Sequence, residues 1–279
     1  MNSRFSYFSK NGQILPLDQA TIPLSNIEYS YGFGVYENIK VRNGIVYFVK
    51  QHLARLQHSA KIIGLTHPFR NEAIEQFINE LVAKLIRDDS DNSFNLKMLL
   101  IGGKEPQLFI QALAPHFPDR KFYSEGVKTI TARYERQFPN AKTLNMLPSY
   151  LAYKKAEEHN CYDALLVSSA DTILEGTRTN FFVLKERILI TPPKEEVLEG
   201  VTRATVIAVA RMHDFSVQES SIPLARLAQY DGAFLTSTSA KIVPIRQIDE
   251  QHFSLPEKLR VLMDAYDNFL KESQGILAS

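Results

Sequence analysis

Residues 198–210 read Leu198-Glu199-Gly200-Val201-Thr202-Arg203-Ala204-Thr205-Val206-Ile207-Ala208-Val209-Ala210, a glycine turn running into an apolar stretch. The spacing predicts a helix from about Thr202 to Met212. The first N–H groups of such a helix have no partner within it, and they lie at the positive end of its dipole, so the turn suits a phosphate. The Thr202 hydroxyl adds a donor; an ordinary N-capped helix is the plainer reading of the same residues. Strand-like runs stand before this helix, at Tyr162–Ser168 and Asn180–Leu184, and after it, near Ala233–Leu235 and Ile242–Ile248. Short strands interleaved with helices argue an α+β (mixed α/β) domain of enzyme size and exclude a bundle or sandwich.

The amino-terminal part has the same mixture. Two Asn-Gly pairs, Asn11-Gly12 and Asn43-Gly44, sit between apolar runs and predict hairpins over Phe5–Leu15 and Val35–Val49. Helices follow at about Gln51–Ile63, with Leu53, Leu56, Ala60 and Ile63 on one face, and at Asn71–Arg87. Strands Phe94–Ile101 and Gln107–Leu113 flank a short Gly-Gly-Lys-Glu-Pro turn. Residues 116–126 are rich in proline and polar groups and are expected to connect a smaller domain, 1–115, to a larger one, 127–279. That larger part opens with a strand at Val127–Arg136 and has a helix at Pro148–His159.

Thirty-two basic against thirty-one acidic residues among 279 give no field that would draw nucleic acid or an anionic membrane. No apolar run reaches the roughly 18 residues of a membrane span, and the start of the chain lacks a signal-type apolar segment, so a cytoplasmic protein is expected. The single cysteine, Cys161, and the absence of zinc-type Cys/His spacing leave no disulfide or metal framework in the sequence.

Six pieces, in order along nearly the whole chain, resemble the class IV aminotransferases, the D-amino acid and branched-chain aminotransferase-like family with its two-domain pyridoxal 5′-phosphate (PLP) fold. They are Tyr31-Gly32-Phe33-Gly34-Val35-Tyr36-Glu37, similar to F-G-x-G-x-[YF]-E; Gln51-His52-Leu53-Ala54-Arg55-Leu56, similar to E-H-x-x-R-L; Ala141-Lys142-Thr143-Leu144-Asn145; Leu174-Glu175-Gly176-Thr177-Arg178-Thr179-Asn180-Phe181-Phe182, similar to E-G-x-x-x-N-h-F; the 198–203 turn; and Leu235-Thr236-Ser237-Thr238-Ser239. The resemblance implies that Lys142 carries PLP as a Schiff base and is the catalytic residue, that Glu175 pairs with the pyridine nitrogen, and that Arg55, Val201, Thr202 and Thr238 hold the phosphate. It also implies Tyr36 in the substrate pocket, an amino donor and a 2-oxo acid acceptor as partners, and a homodimer. Strand alternation puts Asn38, Lys40 and Arg42 on the same face as Tyr36, and Arg42 and Arg178 are cations that could take a substrate carboxylate.

Leu147 stands where branched-chain enzymes of the family place a tyrosine, and the loop Gly102-Gly103-Lys104-Glu105-Pro106 lacks the Arg-x-His carboxylate trap of the D-amino acid enzymes. Substrate identity stays open. Aminodeoxychorismate lyase, which eliminates pyruvate on the same fold, is an alternative, although its threonine is matched here by Asn38. A catalytically degenerate PLP-binding or interaction protein is the second.

Overall fold

The computed structural model describes residues 4–88, 92–115 and 118–277. The chain divides into two compact units: residues up to 116 together with Ala141–Met146, and 117–140 together with 147–279. The sequence assigns Lys142 to the larger domain; its segment packs instead within the first unit.

The first unit is a six-stranded sheet with two long helices. Its strands are β1 (Tyr7–Lys10), β2 (Gln13–Pro16), β3 (Gly34–Arg42), β4 (Ile45–Val46), β5 (Phe94–Ile101) and β6 (Gln107–Leu113), in the order β2-β1-β6-β5-β3-β4, and every pairing is antiparallel. A short helix α1 (Ile27–Ser30) precedes β3, and α2 (Val49–Ile62) and α3 (Asn71–Asp88) follow β4. Both predicted hairpins form. Asn11, Gly12, Asn43 and Gly44 all have φ between 52° and 91°, the left-handed backbone that a two-residue I′ turn requires at both positions. Alternation along β3 buries Val35, Glu37, Ile39 and Val41 on the helix-covered face and leaves Tyr36, Asn38 and Arg42 half-buried on the other. Leu53, Leu56 and Ala60 of α2 and Ile74, Ile78, Leu81 and Leu85 of α3 complete that core. Each such side chain contributes about 1.5–3 kcal/mol through burial.

The second unit contains α4 (Arg120–Ser124), β7 (Val127–Arg133), α5 (Leu147–Glu158), β8 (Asp163–Val167), β9 (Thr172–Gly176), β10 (Asn180–Lys185), β11 (Ile188–Thr191), α6 (Val201–Met212), β12 (Ser216–Glu219), β13 (Ile222–Pro223), β14 (Gly232–Ser237), β15 (Lys241–Ile248), β16 (Gln251–His252) and α7 (Glu257–Leu277). Part of the 116–126 connection is therefore helical, because Asp119 caps α4 by accepting from Lys121 N–H at 2.9 Å; residues 116 and 117 lie outside the described residues. The sheet runs β12-β11-β10-β14-β15-β7-β8-β9-β13, and β9 also pairs with β10 through Glu175 and Asn180. That extra pairing closes β10, β14, β15, β7, β8 and β9 into a ring. Inside it pack Leu165, Val167, Ile173, Phe181, Val183, Leu235, Val243 and Ile245. The alternate residues Asn180 and Phe182 of β10 and Phe234 and Thr236 of β14 share the other face, where the Phe182 and Phe234 rings stack at 4.8 Å.

Candidate active site

In the first unit, Lys142 is attached to the start of β3 as a one-residue extension of the sheet. Tyr36 N–H donates to the Lys142 carbonyl and Leu144 N–H to the Gly34 carbonyl, each at 2.9 Å, with Thr143 bridging Val35. The Lys142 N–H donates to Ser59 Oγ of α2 at 3.0 Å. Gly34 is dictated by this approach: a Cβ there would lie 2.7 Å from both the Leu100 carbonyl and the Leu144 side chain. Alternation then sends the Lys142 side chain toward Tyr36, whose ring centre is 4.5 Å from Nζ. The Tyr36 hydroxyl in turn reaches Met146 Sδ at 3.6 Å.

Beside this, Glu37 is fully buried and accepts Arg55 Nε at 2.6 Å, Arg55 Nη2 at 2.7 Å and His52 Nδ1 at 2.8 Å. Burial by itself raises a carboxyl, but the Arg55 charge and bonds, with the His52 bond, outweigh it and bring Glu37 down to about 2. Glu37 is thus an acceptor only, so His52 Nδ1 carries the proton in this pair. Burial pushes His52 below its ordinary value despite that partner. The Arg55 fork is therefore engaged with Glu37 on two of its donors. Asn38 shares the Tyr36 face. Arg42 does not join them: it lies six residues along an extended strand, roughly 20 Å from Tyr36, and donates to the carbonyls of Val41 at 2.8 Å and Phe94 at 3.4 Å.

In the second unit, Glu175 is the penultimate residue of β9 and is buried. Its carboxylate accepts Arg136 Nε at 2.7 Å, Leu198 N–H at 3.2 Å and Asn180 Nδ2 at 3.3 Å. Arg136 also donates to the Thr177 carbonyl at 2.7 Å, and Asn180 to the Leu198 carbonyl at 2.7 Å. Glu175 is thereby tied to the turn that leads into α6. Under the Glu175–Asn180 turn lies Asp163, fully buried, accepting Thr177 Oγ1 at 2.5 Å, Thr179 Oγ1 at 2.9 Å, Ala164 N–H at 2.9 Å and Thr177 N–H at 3.2 Å. Burial raises its carboxyl even so. Gly176 fits only because it lacks a side chain, since a Cβ there would meet Thr179 Oγ1 and the Asp163 carboxylate.

Val201 and Thr202 open α6 and are buried; Gly200 caps the helix with no side-chain hydrogen bond. Thr238 stands half-buried in the turn after β14. Arg178 points elsewhere: it is exposed, stacked 4.0 Å over the Tyr153 ring, with Nη2 3.5 Å from the Tyr162 carbonyl.

Sequence reasoning did not find Arg136, Asp163, Asn180, Ser59 or the Glu37–His52 pair as functional parts. Asn180, Glu37 and His52 stand inside the quoted motifs without an assigned role, whereas Arg136 lies 39 residues from its partner and no local pattern marks it.

The second unit carries what a pyridine phosphate needs. A buried carboxylate is aimed by three donors, a twelve-residue helix presents an N-terminus without a side-chain cap, and opposite Asn180 on β14 the buried Thr236 Oγ1 has no hydrogen-bond partner. Buried hydroxyls are rarely left so, and a phosphate or its hydration would supply the missing partner. These residues fit PLP.

The family model described as amino-transferase class IV matches residues 34–248. D-alanine aminotransferase of Bacillus licheniformis is 30% identical over 253 residues, covering 86% of this chain and 88% of the relative. D-alanine aminotransferase of Listeria monocytogenes (strain 10403S) is 29% identical over 260 residues, 86% of each chain. Among solved structures, branched-chain amino acid aminotransferase of Escherichia coli superposes with a TM-score of 0.86 at 22% identity, covering 95% of this chain and 94% of that one. With the family match spanning most of the sequence, the chain belongs to the class IV aminotransferases and is a PLP-dependent enzyme of that fold.

Proposed function

We propose that this aminotransferase moves an amino group from an amino acid of the D-amino or branched-chain type to a 2-oxo acid, with Lys142 Nζ as the point of covalent attachment for the cofactor's aldehyde carbon. The observation that carries this reading is the bracing of Glu175 by Arg136, Asn180 and the Leu198 amide, directly before an α6 N-terminus that has no side-chain cap. Family and relatives are named for amine transfer, which favours it over pyruvate elimination and over a non-catalytic chain.

PLP supplies an electron sink for the carbon that loses its proton. Glu175 would accept the N–H of the ring nitrogen and so favour its protonated form, and its three donors hold the carboxylate oriented. The Val201 and Thr202 amides, the Thr202 and Thr238 hydroxyls and the Arg55 guanidinium would hold the phosphate, with Glu37 fixing the plane of the Arg55 fork. Lys142 Nζ would hold the cofactor and would be the amine that accepts and then returns the substrate Cα proton, base and then acid on one face. Tyr36 and Asn38, side by side on one face of β3, would line the substrate side; Arg178, exposed and stacked on the Tyr153 ring, takes no part in it. A homodimer is proposed on the apolar side chains Leu24, Ile27, Tyr29 and Tyr31 that the first unit exposes. Among the described residues no helix is long and apolar enough to cross a membrane.

The test is to reduce the PLP-loaded protein with borohydride, map the modified lysine by mass spectrometry, and screen L- and D-amino acids against 2-oxoglutarate and pyruvate. Label at Lys142 with a keto acid formed one-for-one with the new amino acid is expected. Label at another lysine, or pyruvate released from aminodeoxychorismate with no acceptor present, would overturn the reading.

A further inference from the structure

The geometry points to Ser59 as a positioning residue that aims the Lys142 side chain; this rests on the reading of Lys142 as the attachment point and proton carrier. Helical spacing puts His52, Arg55 and Ser59 on one face of α2, three and then four residues apart. The first two grip Glu37, and the third is a serine with no exposed surface in the last turn of a helix. Its buried hydroxyl oxygen takes the Lys142 N–H at 3.0 Å.

That contact differs in kind from the others that hold the segment. The Lys142 carbonyl and the Leu144 N–H make the two ladder bonds to β3 and fix where the strand runs. Both lie on the C-terminal side of the Lys142 Cα and leave the peptide N–H on its N-terminal side without a ladder bond. The Ser59 bond ties down that side. With both flanking peptide groups fixed, the Cα–Cβ direction is fixed too, and Nζ comes to rest 4.5 Å from the Tyr36 ring centre. The lysine side chain is a long lever: a tilt of roughly 10° at Cα moves its amine by about 1 Å, and a misplacement of that size costs on the order of 100-fold in rate. A serine that only filled space in α2 would affect stability and nothing else.

The experiment compares the wild-type holoenzyme with Ser59→Ala and Ser59→Thr, the latter retaining Oγ. It reads kcat and KM separately, and the Lys142 amide hydrogen exchange at single-residue resolution. Expected for Ser59→Ala are a kcat lower by about 10–100-fold, a KM within about 3-fold, and a Lys142 amide exchanging at least about 10-fold faster, with Ser59→Thr returning toward wild type. A Ser59→Ala enzyme with wild-type kcat and unchanged Lys142 exchange overturns the assignment. So does a wild-type Lys142 amide that exchanges as fast as an exposed one, a measurement that needs no variant. Borohydride mapping of the same samples separates the two failures: cofactor fixed on a different lysine removes the underlying reading, whereas cofactor on Lys142 with no effect of Ser59→Ala removes only the positioning role.

Discussion

Replacing Glu37 by Gln keeps the shape of the side chain and removes the charge that Arg55 faces. Glu37 is fully buried, so the interaction is not discounted for solvent screening, and its carboxyl lies at about 2 against an ordinary value of 4.5. At about 1.4 kcal/mol per unit, that displacement corresponds to roughly 3 kcal/mol of folding stability at neutral pH. Breaking a buried ion pair from one side costs about 3–5 kcal/mol, because the remaining charge is left uncompensated, and the two figures agree. The folded-state value is depressed, so the stabilisation is complete above the unfolded carboxyl value and disappears as pH falls from 4.5 toward about 2. Urea unfolding of the cofactor-free wild type and Glu37→Gln should therefore differ by about 3 kcal/mol at pH 7, a midpoint shift of roughly 1–3 M for ordinary urea slopes. The gap should narrow on acidification below pH 4.5. A difference under about 1 kcal/mol at pH 7, or one independent of pH, would refute the ion-pair account of Glu37.

Glu175→Gln should retain bound cofactor by visible absorbance while turnover falls by about 100–10,000-fold, because a neutral amide no longer favours the protonated ring nitrogen; unchanged kcat counts against the role. Arg42→Ala should leave the donor KM within about 3-fold, since some 20 Å of strand separate it from Tyr36; a tenfold rise in steady-state assays would restore it to the substrate site. Thr236→Val removes a buried hydroxyl that has no partner in the protein. It should cost little stability without cofactor, while weakening PLP binding by about 3–10-fold in a fluorescence titration; equal affinity would mean that the orphan hydroxyl serves nothing.

The parts of the fold legible in the sequence are those decided by neighbours in the chain. Asn11-Gly12 and Asn43-Gly44 specify I′ hairpins through their own φ angles, and β5 and β6 match the two apolar runs on either side of the Gly-Gly-Lys-Glu-Pro turn. What was not legible depends on distant partners. The predicted strand Val127–Arg136 ends at Arg133, and beyond it Tyr134 N–H reaches the Val167 carbonyl while Arg136 reaches Glu175. The short strands β9, β11, β12, β13 and β16 have two to five residues each, too few for a periodic signal, and β9 finds its second neighbour only when the ring closes at Glu175 and Asn180. Lys142 precedes α5 in sequence, which suggests membership in the later unit; its actual neighbours are Gly34, Tyr36 and Ser59, some hundred residues earlier in the chain.

The candidate site divides along the same line. Motifs display the residue that faces the ligand and conceal the one that makes it usable. Glu175 is visible in a glycine-bounded turn, but its direction comes from Arg136; Lys142 is visible before a helix, but its main chain is held by Ser59. The three carboxylates buried among the described residues, Glu37, Asp163 and Glu175, show why the hidden partners differ. Glu37 and Glu175 each receive an arginine Nε, at 2.6 and 2.7 Å, and the Arg55 pair shows what such a partner does, keeping Glu37 ionised in a site from which water is excluded. Asp163 receives only hydroxyls and amides; four such donors do not offset the loss of hydration, and its carboxyl rises. On the proposed function Glu175 must stay charged beside the cofactor nitrogen and has the arginine, whereas Asp163, which ties a turn together, has none. By that criterion Arg136 belongs to the proposed site as much as the glutamate it braces.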